Sequence, residues 1–141
     1  MTAIPNPVPR RAIHPFPAFL LAGAVTLFLG ALLSDYAYWT SYQIEWSNFA
    51  SWLIVGAEVF AGGALLFAVI DLVRSRQRGR QSVYTLVLAA AWVAGFVNAL
   101  IHARDAWAVM PTGLVLSVIV AVLALVAAWL GFSSLRTGAA A

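Results

Sequence analysis

The chain contains no cysteine and no lysine, and only 9% of its 141 residues are charged. Without cysteine it forms no disulfide, offers no thiolate nucleophile and holds no cysteine-ligated iron–sulfur cluster. A soluble domain carries roughly 25% charged residues, so this chain has too little polar surface to face water. The apolar share runs the other way, at 63%, with a mean hydropathy of +0.92. These values argue against intrinsic disorder and a soluble enzyme core. The isoelectric point near 10.0 comes from arginines that flank apolar segments. Topology explains that distribution better than nucleic-acid binding does. The composition is that of a membrane protein.

Four apolar segments stand out: Pro17–Tyr38, Ser51–Val73, Val83–Ala103 and Pro111–Gly131. Each approaches or exceeds the ~20 residues a helix needs to cross a hydrocarbon core of about 30 Å. Connections of roughly twelve, nine and seven residues hold consecutive helices antiparallel. The expected fold is therefore all-α, a transmembrane four-helix bundle of up-down-up-down order. It divides into an N-terminal tail (1–16), the helical domain (17–131) and a C-terminal tail (132–141). The first apolar run continues from Phe19 into aromatic residues without a small-residue cleavage site, so it reads as a retained span. Small residues repeat along the segments: Ala57, Ala61 and Gly62; Ala91, Gly95 and Ala99; Gly113, Ser117, Ala121 and Ala124. In lipid such stripes let helix backbones approach closely.

Orientation follows from the arginines, since positively charged loops stay cytoplasmic. Arg10, Arg11, Arg74, Arg76, Arg78, Arg80 and Arg136 fall on one side of the bundle, and Arg104 alone on the other. Both termini are expected to be cytoplasmic, with loops Thr40–Ala50 and Arg104–Met110 on the outer face.

Polar groups at membrane depth are costly unless they are paired or face water. Asp35 lies near the end of the first span and Glu58 inside the second; Asn98 and His102 share one face of the third. With Arg104 and Asp105 beside them, they form a candidate polar cluster in the outer half of the bundle. The chemistry fits a proton relay, a divalent-metal site or a hydrogen-bonded clasp without chemistry, the clasp being favoured. At the inner boundary Asp71 precedes Arg74 by three residues, an ion-pair spacing that suits a plain interfacial pair. Tyr36, Trp39, Tyr42, Trp46 and Trp107 crowd the outer face, either as an interfacial aromatic belt or as a surface that docks another protein. His14 and His102 are expected at opposite membrane boundaries, about 30 Å apart, too far to ligate one haem. No phosphate loop or nucleophile elbow is present.

The stretches Asp35-Tyr36-Ala37-Tyr38-Trp39, Val69-Ile70-Asp71 with the following arginines, Asn98 to Asp105, and Pro111-Thr112-Gly113 to Ser117 run in order over most of the chain. With His14-Pro15 they resemble a bacterial membrane family of unassigned function, domain of unknown function twenty-two thirty-one. The family often has a second His-Pro or Phe-Pro in the first span and a histidine opening the third. This chain has Val25-Thr26-Leu27-Phe28 and Val83-Tyr84-Thr85 there, and Phe132 to Arg136 in place of a glycine-rich tail. The resemblance implies a setting beside redox proteins, among them periplasmic dehydrogenase-like and Rieske-type partners.

The expected function is that of a small bacterial inner-membrane protein, an anchor or accessory subunit of a redox or respiratory complex and not an enzyme. One alternative is a proton- or ion-conducting or metal-binding protein using the polar cluster; another is a haem- or quinone-binding electron-transfer subunit. No cofactor is assigned. The expected partners are the lipid bilayer and another membrane or periplasmic protein or a second copy, with no nucleic acid.

Overall fold

The computed structural model describes residues 14–75 and 78–139, with no side-chain description for residues 78 and 134–139. Residues 1–13, and with them most of the expected N-terminal tail, Arg10 and Arg11, lie outside the described residues, as does Arg76. Four helices follow in order: α1 (Pro15–Ser41), α2 (Ile44–Arg74), α3 (Arg78–His102) and α4 (Thr112–Ala139). No strand occurs among the described residues. The segments Pro15–Ser41, Ile44–Arg74, Gly79–His102 and Thr112–Ser133 are each long and apolar enough to cross a membrane. The expected all-α transmembrane bundle is the fold observed.

Several boundaries differ from the sequence expectation, the start of α3 among them, at Arg78 and not Val83. The segment Thr40–Ala50, expected as a loop, is almost entirely helical; Tyr42 and Gln43 alone separate α1 from α2. Its residues are polar enough to mark the edge of the hydrocarbon, yet no glycine or proline between Ala31 and Val55 stops a helix there. The turn is made by Tyr42, held at φ 54° with its backbone N–H bonded to Tyr38 O at 2.7 Å. Such a left-handed C-cap is usually glycine, so tyrosine here is a backbone cost that its ring contacts must offset. Similarly, α4 runs past Gly131 to Ala139, through most of the segment assigned to the C-terminal tail. At 1.5 Å per residue the 31-residue α2 is about 46 Å long, well beyond the ~30 Å hydrocarbon core.

The helices pack in a square. α1 adjoins α2, α2 adjoins α3, α3 adjoins α4, and α4 returns to α1. That leaves α1 and α3 diagonal across the bundle axis. The interior is built from small residues: Ala24, Ala31, Ala57, Ala61, Ala64, Ala68, Ala91, Ala121, Ala124 and Ala127 are all buried. Phe28 and Val120 fill the centre beside Ala24, Ala57, Ala61 and Ala124. Leu21 and Leu88 fill a second cluster towards the arginine-rich end. The large side chains point outward instead, with Leu33, Val59, Leu66, Leu86 and Trp129 exposed. Small inside and large apolar outside suits lipid, where close backbone approach rather than apolar burial holds helices together. The small-residue stripes expected from the sequence are these interior faces, with Ala57, Ala61, Ala91, Gly95, Gly113, Ser117, Ala121 and Ala124 buried.

A polar clasp at the aromatic end of the bundle

At the end of the bundle that carries the α1–α2 turn, a buried hydrogen-bond network joins three helices. Asp35 of α1, fully buried, points across the axis. Its Oδ1 lies 2.8 Å from His102 Nε2, at the last residue of α3, and its Oδ2 accepts from the Ser117 hydroxyl of α4. Asn98 Nδ2 donates to Ser117 Oγ at 2.8 Å. His102 Nδ1 lies 3.0 Å from the backbone carbonyl of Asn98. The α1–α3 diagonal is thus bridged by side chains where the two backbones stay apart.

The hydrogen inventory of this network is constrained. A backbone carbonyl only accepts, so His102 Nδ1 must carry a hydrogen. Ser117 has one hydrogen and gives it to Asp35, so its oxygen takes the Asn98 amide hydrogen. One further hydrogen then sits between His102 Nε2 and Asp35 Oδ1. Whichever of the two atoms holds it, the pair carries no net charge, which suits a buried site in a membrane protein. Both imidazole nitrogens are engaged, so His102 has no lone pair directed at a ligand in this arrangement.

Close packing makes the network possible. A Cβ at Gly113 would sit 3.0 Å from His102 Cε1 and nearer still to Val109 Cγ1. Glycine there lets α4 approach the ring. Tyr38, buried one turn after Asp35, donates its hydroxyl to Ala106 O at 3.0 Å and ties α1 to the α3–α4 connection.

Of the residues expected to cluster, the structure brings Asp35, Asn98 and His102 together and leaves the other three out. Glu58 is the fifteenth of the 31 residues of α2, at mid-helix. Its carboxyl abuts Gly95, seven residues or about 10 Å down α3 from His102. Arg104 is exposed and lines a crevice of about 350 Å³ with His102, Glu45, Ser47, Asn48 and Ser51. Asp105 is exposed and accepts from Trp107 N at 3.4 Å, capping the 3-10 turn Ala106–Ala108. At the other end Asp71 and Arg74 are both exposed, and no ion pair joins them among the described residues. His14 precedes α1 at that same end, the length of the bundle away from His102.

Ser117, Tyr38 and Gly113 were not expected as members of the site. Ser117 and Gly113 had signalled close packing, and all three lay in the stretches that resemble the family, with no site role attached.

The aromatic residues sit around the clasp. Tyr36, Trp39, Tyr42, Trp46 and Trp107 are all at least 40% exposed. Tyr42 is the hub: its ring stacks on Trp107 at 6.4 Å between centroids and contacts Trp39 and the buried Tyr38. No ring pairing joins Tyr36 or Trp46 to the others among the described residues. Trp46, Glu45, Asn48, Phe49 and Trp52 line a shallow groove of about 540 Å³ on the first turns of α2.

Comparison with known families agrees with this architecture. Residues 10–136 match the family described as Predicted membrane protein (DUF2231). The chain belongs to that family. The match covers α1 to α3, α4 as far as residue 136, and every residue of the clasp of this DUF2231 protein. No curated protein and no solved structure matches the chain. What is established is an integral membrane protein of the DUF2231 family with four candidate spans and unknown function.

Proposed function

We propose that this DUF2231 protein is a non-enzymatic anchor or accessory subunit of a larger complex in the bacterial inner membrane. Its aromatic end would face outward and dock a partner, with a redox or respiratory protein as the partner class suggested by the family resemblance. Both termini are then cytoplasmic, in accord with the seven-to-one arginine distribution.

The observation that carries this reading is the ring cluster of Trp39, Tyr42 and Trp107 at the helix ends. Trp107 is 74% exposed, and the cluster stands on a clasp that joins α1, α3 and α4. Aromatic rings on rigid backbone lose little entropy when covered and are enriched in protein interfaces. The length of α2 supports it too, because a 46 Å helix in a 30 Å core carries its first or last turns out of the hydrocarbon.

The test is isolation of the tagged protein in native lipid particles, with the composition read by mass spectrometry. A stoichiometric partner is expected, and Trp39→Ala with Trp107→Ala should lose it while helical content and insertion persist. A wild-type protein that runs without partners, or a complex indifferent to both substitutions, contradicts the proposal.

A further inference from the structure

Below the clasp the bundle holds three buried oxygens that no group satisfies among the described residues: Oε1 and Oε2 of Glu58 and Oδ1 of Asn98. Buried polar atoms in native proteins nearly always have a partner, and each exception calls for an explanation. All three can act as acceptors, so their complement is a donor hydrogen or a positive charge.

The geometry places these oxygens along one stretch of α3. A Cβ at Gly95 would collide with Glu58 Oε1 and would stand 3.1 Å from Phe28 Cε1. The missing side chain is therefore the space in which the carboxyl sits, against α3 and beside α1. Asn98 follows Gly95 by three residues on the same face of α3, with Cβ positions about 5–6 Å apart. Side chains on a helix lean towards its N-terminus, which for Asn98 is the direction of Gly95 and Glu58. The hydrogen inventory of the clasp sets the amide: Nδ2 is given to Ser117, so Oδ1 faces away from it. Asn98 is 1% exposed, which leaves Oδ1 no route to bulk water.

We propose that Glu58 and Asn98 form a binding site for one monovalent cation inside the bundle. Carboxylate and amide oxygens are hard ligands of the kind that alkali and alkaline-earth ions prefer. Charge decides between those classes. One carboxylate and one monovalent cation leave the membrane interior neutral, whereas a divalent ion leaves an unbalanced positive charge at a depth where that is expensive. Asn98 then has two tasks, holding Ser117 with one amide hydrogen and the cation with its oxygen. The site is independent of the docking reading, since it lies at mid-helix and uses none of the exposed rings.

Equilibrium binding of radioactive sodium to the purified, lipid-reconstituted protein tests the site. One sodium per chain is expected in the wild type, none in Glu58→Gln, and an affinity weakened about 10-fold or more in Asn98→Ala, as for other ligand-shell losses. Circular dichroism and thermal melting establish that both variants are folded. Modification of Glu58 by a hydrophobic carbodiimide, followed by mass spectrometry, gives a second readout: sodium in place of choline should slow it in the wild type and not in Asn98→Ala. A folded wild-type protein that binds no sodium, or sodium binding that survives Glu58→Gln, overturns the proposal. So does carbodiimide modification indifferent to sodium, which would identify Glu58 as a bare protonated carboxyl.

Discussion

Asp35→Ala strikes the clasp at its centre, because Asp35 holds both His102 and Ser117. Interhelical hydrogen bonds in membrane proteins average only about 0.6 kcal/mol, which for two bonds sets a floor of about 1.2 kcal/mol. The larger part of the cost comes from what is left behind. Ser117 can turn its hydroxyl to the carbonyl one helical turn earlier, a bond serine makes readily in helices. His102 Nε2 has no such substitute: with Nδ1 holding the neutral ring's hydrogen it is left as an unpaired acceptor, and a stranded buried polar group costs about 1–3 kcal/mol. The substitution should therefore destabilise the bundle by about 2–4 kcal/mol. His102→Ala loses the same bond and should cost a similar amount. The two changes share one interaction, so the double variant should be more stable than the sum predicts by about 1–3 kcal/mol. Reversible unfolding in mixed micelles, titrated with denaturing detergent and followed by circular dichroism, measures all four corners of the cycle. Asp35→Ala combined with Leu88→Ala, fourteen residues down α3 from His102, is the control and should be additive. Additivity of the Asp35 and His102 changes within about 0.5 kcal/mol would refute the account of the clasp.

Two smaller changes probe its surroundings. Tyr38→Phe removes the bond to Ala106 O at a cost of about 1 kcal/mol, and amide hydrogen exchange should rise in residues 103–111 and not in the α1–α2 turn. Gly95→Ala drives a methyl group into the Glu58 carboxyl and should cost about 1–3 kcal/mol in the same unfolding assay. Adding Glu58→Ala to Gly95→Ala should recover much of that loss, and no recovery would mean that the carboxyl does not occupy the glycine's space.

The number of helices and their antiparallel order were legible in the sequence because hydrophobicity marks what must lie in hydrocarbon. The ends of the helices were not. Glu45, Ser47 and Asn48 look like loop residues on a hydropathy scale, yet a helix continues into the headgroup zone until glycine, proline or a cap stops it. The pairing of Asp35 with His102 could be anticipated from their shared depth. The exclusion of Glu58 could not, since it depends on how α2 is rotated and on the gap at Gly95, which no single-helix pattern records. Ser117 was overlooked for a related reason: a serine in a small-residue stripe packs equally well whether or not its hydroxyl finds a partner. Its partners, Asp35 on the adjoining α1 and Asn98 on α3, come from other helices.

Orientation carries the functional reading, since a docking surface for an external partner requires the aromatic end to face outward. Single cysteines in this cysteine-free chain report it directly. Ser47 is a poor reporter because it is only 4% exposed, whereas Gln43 is exposed in the α1–α2 turn. Gly79 is exposed at the opposite end, and a Cβ there meets nothing within 4 Å. In cells with a permeabilised outer membrane, a membrane-impermeant thiol reagent should label Gln43→Cys and leave Gly79→Cys unmodified until the inner membrane is opened. Labelling of Gly79→Cys with protection of Gln43→Cys would turn the bundle over and remove the basis for an outward docking surface.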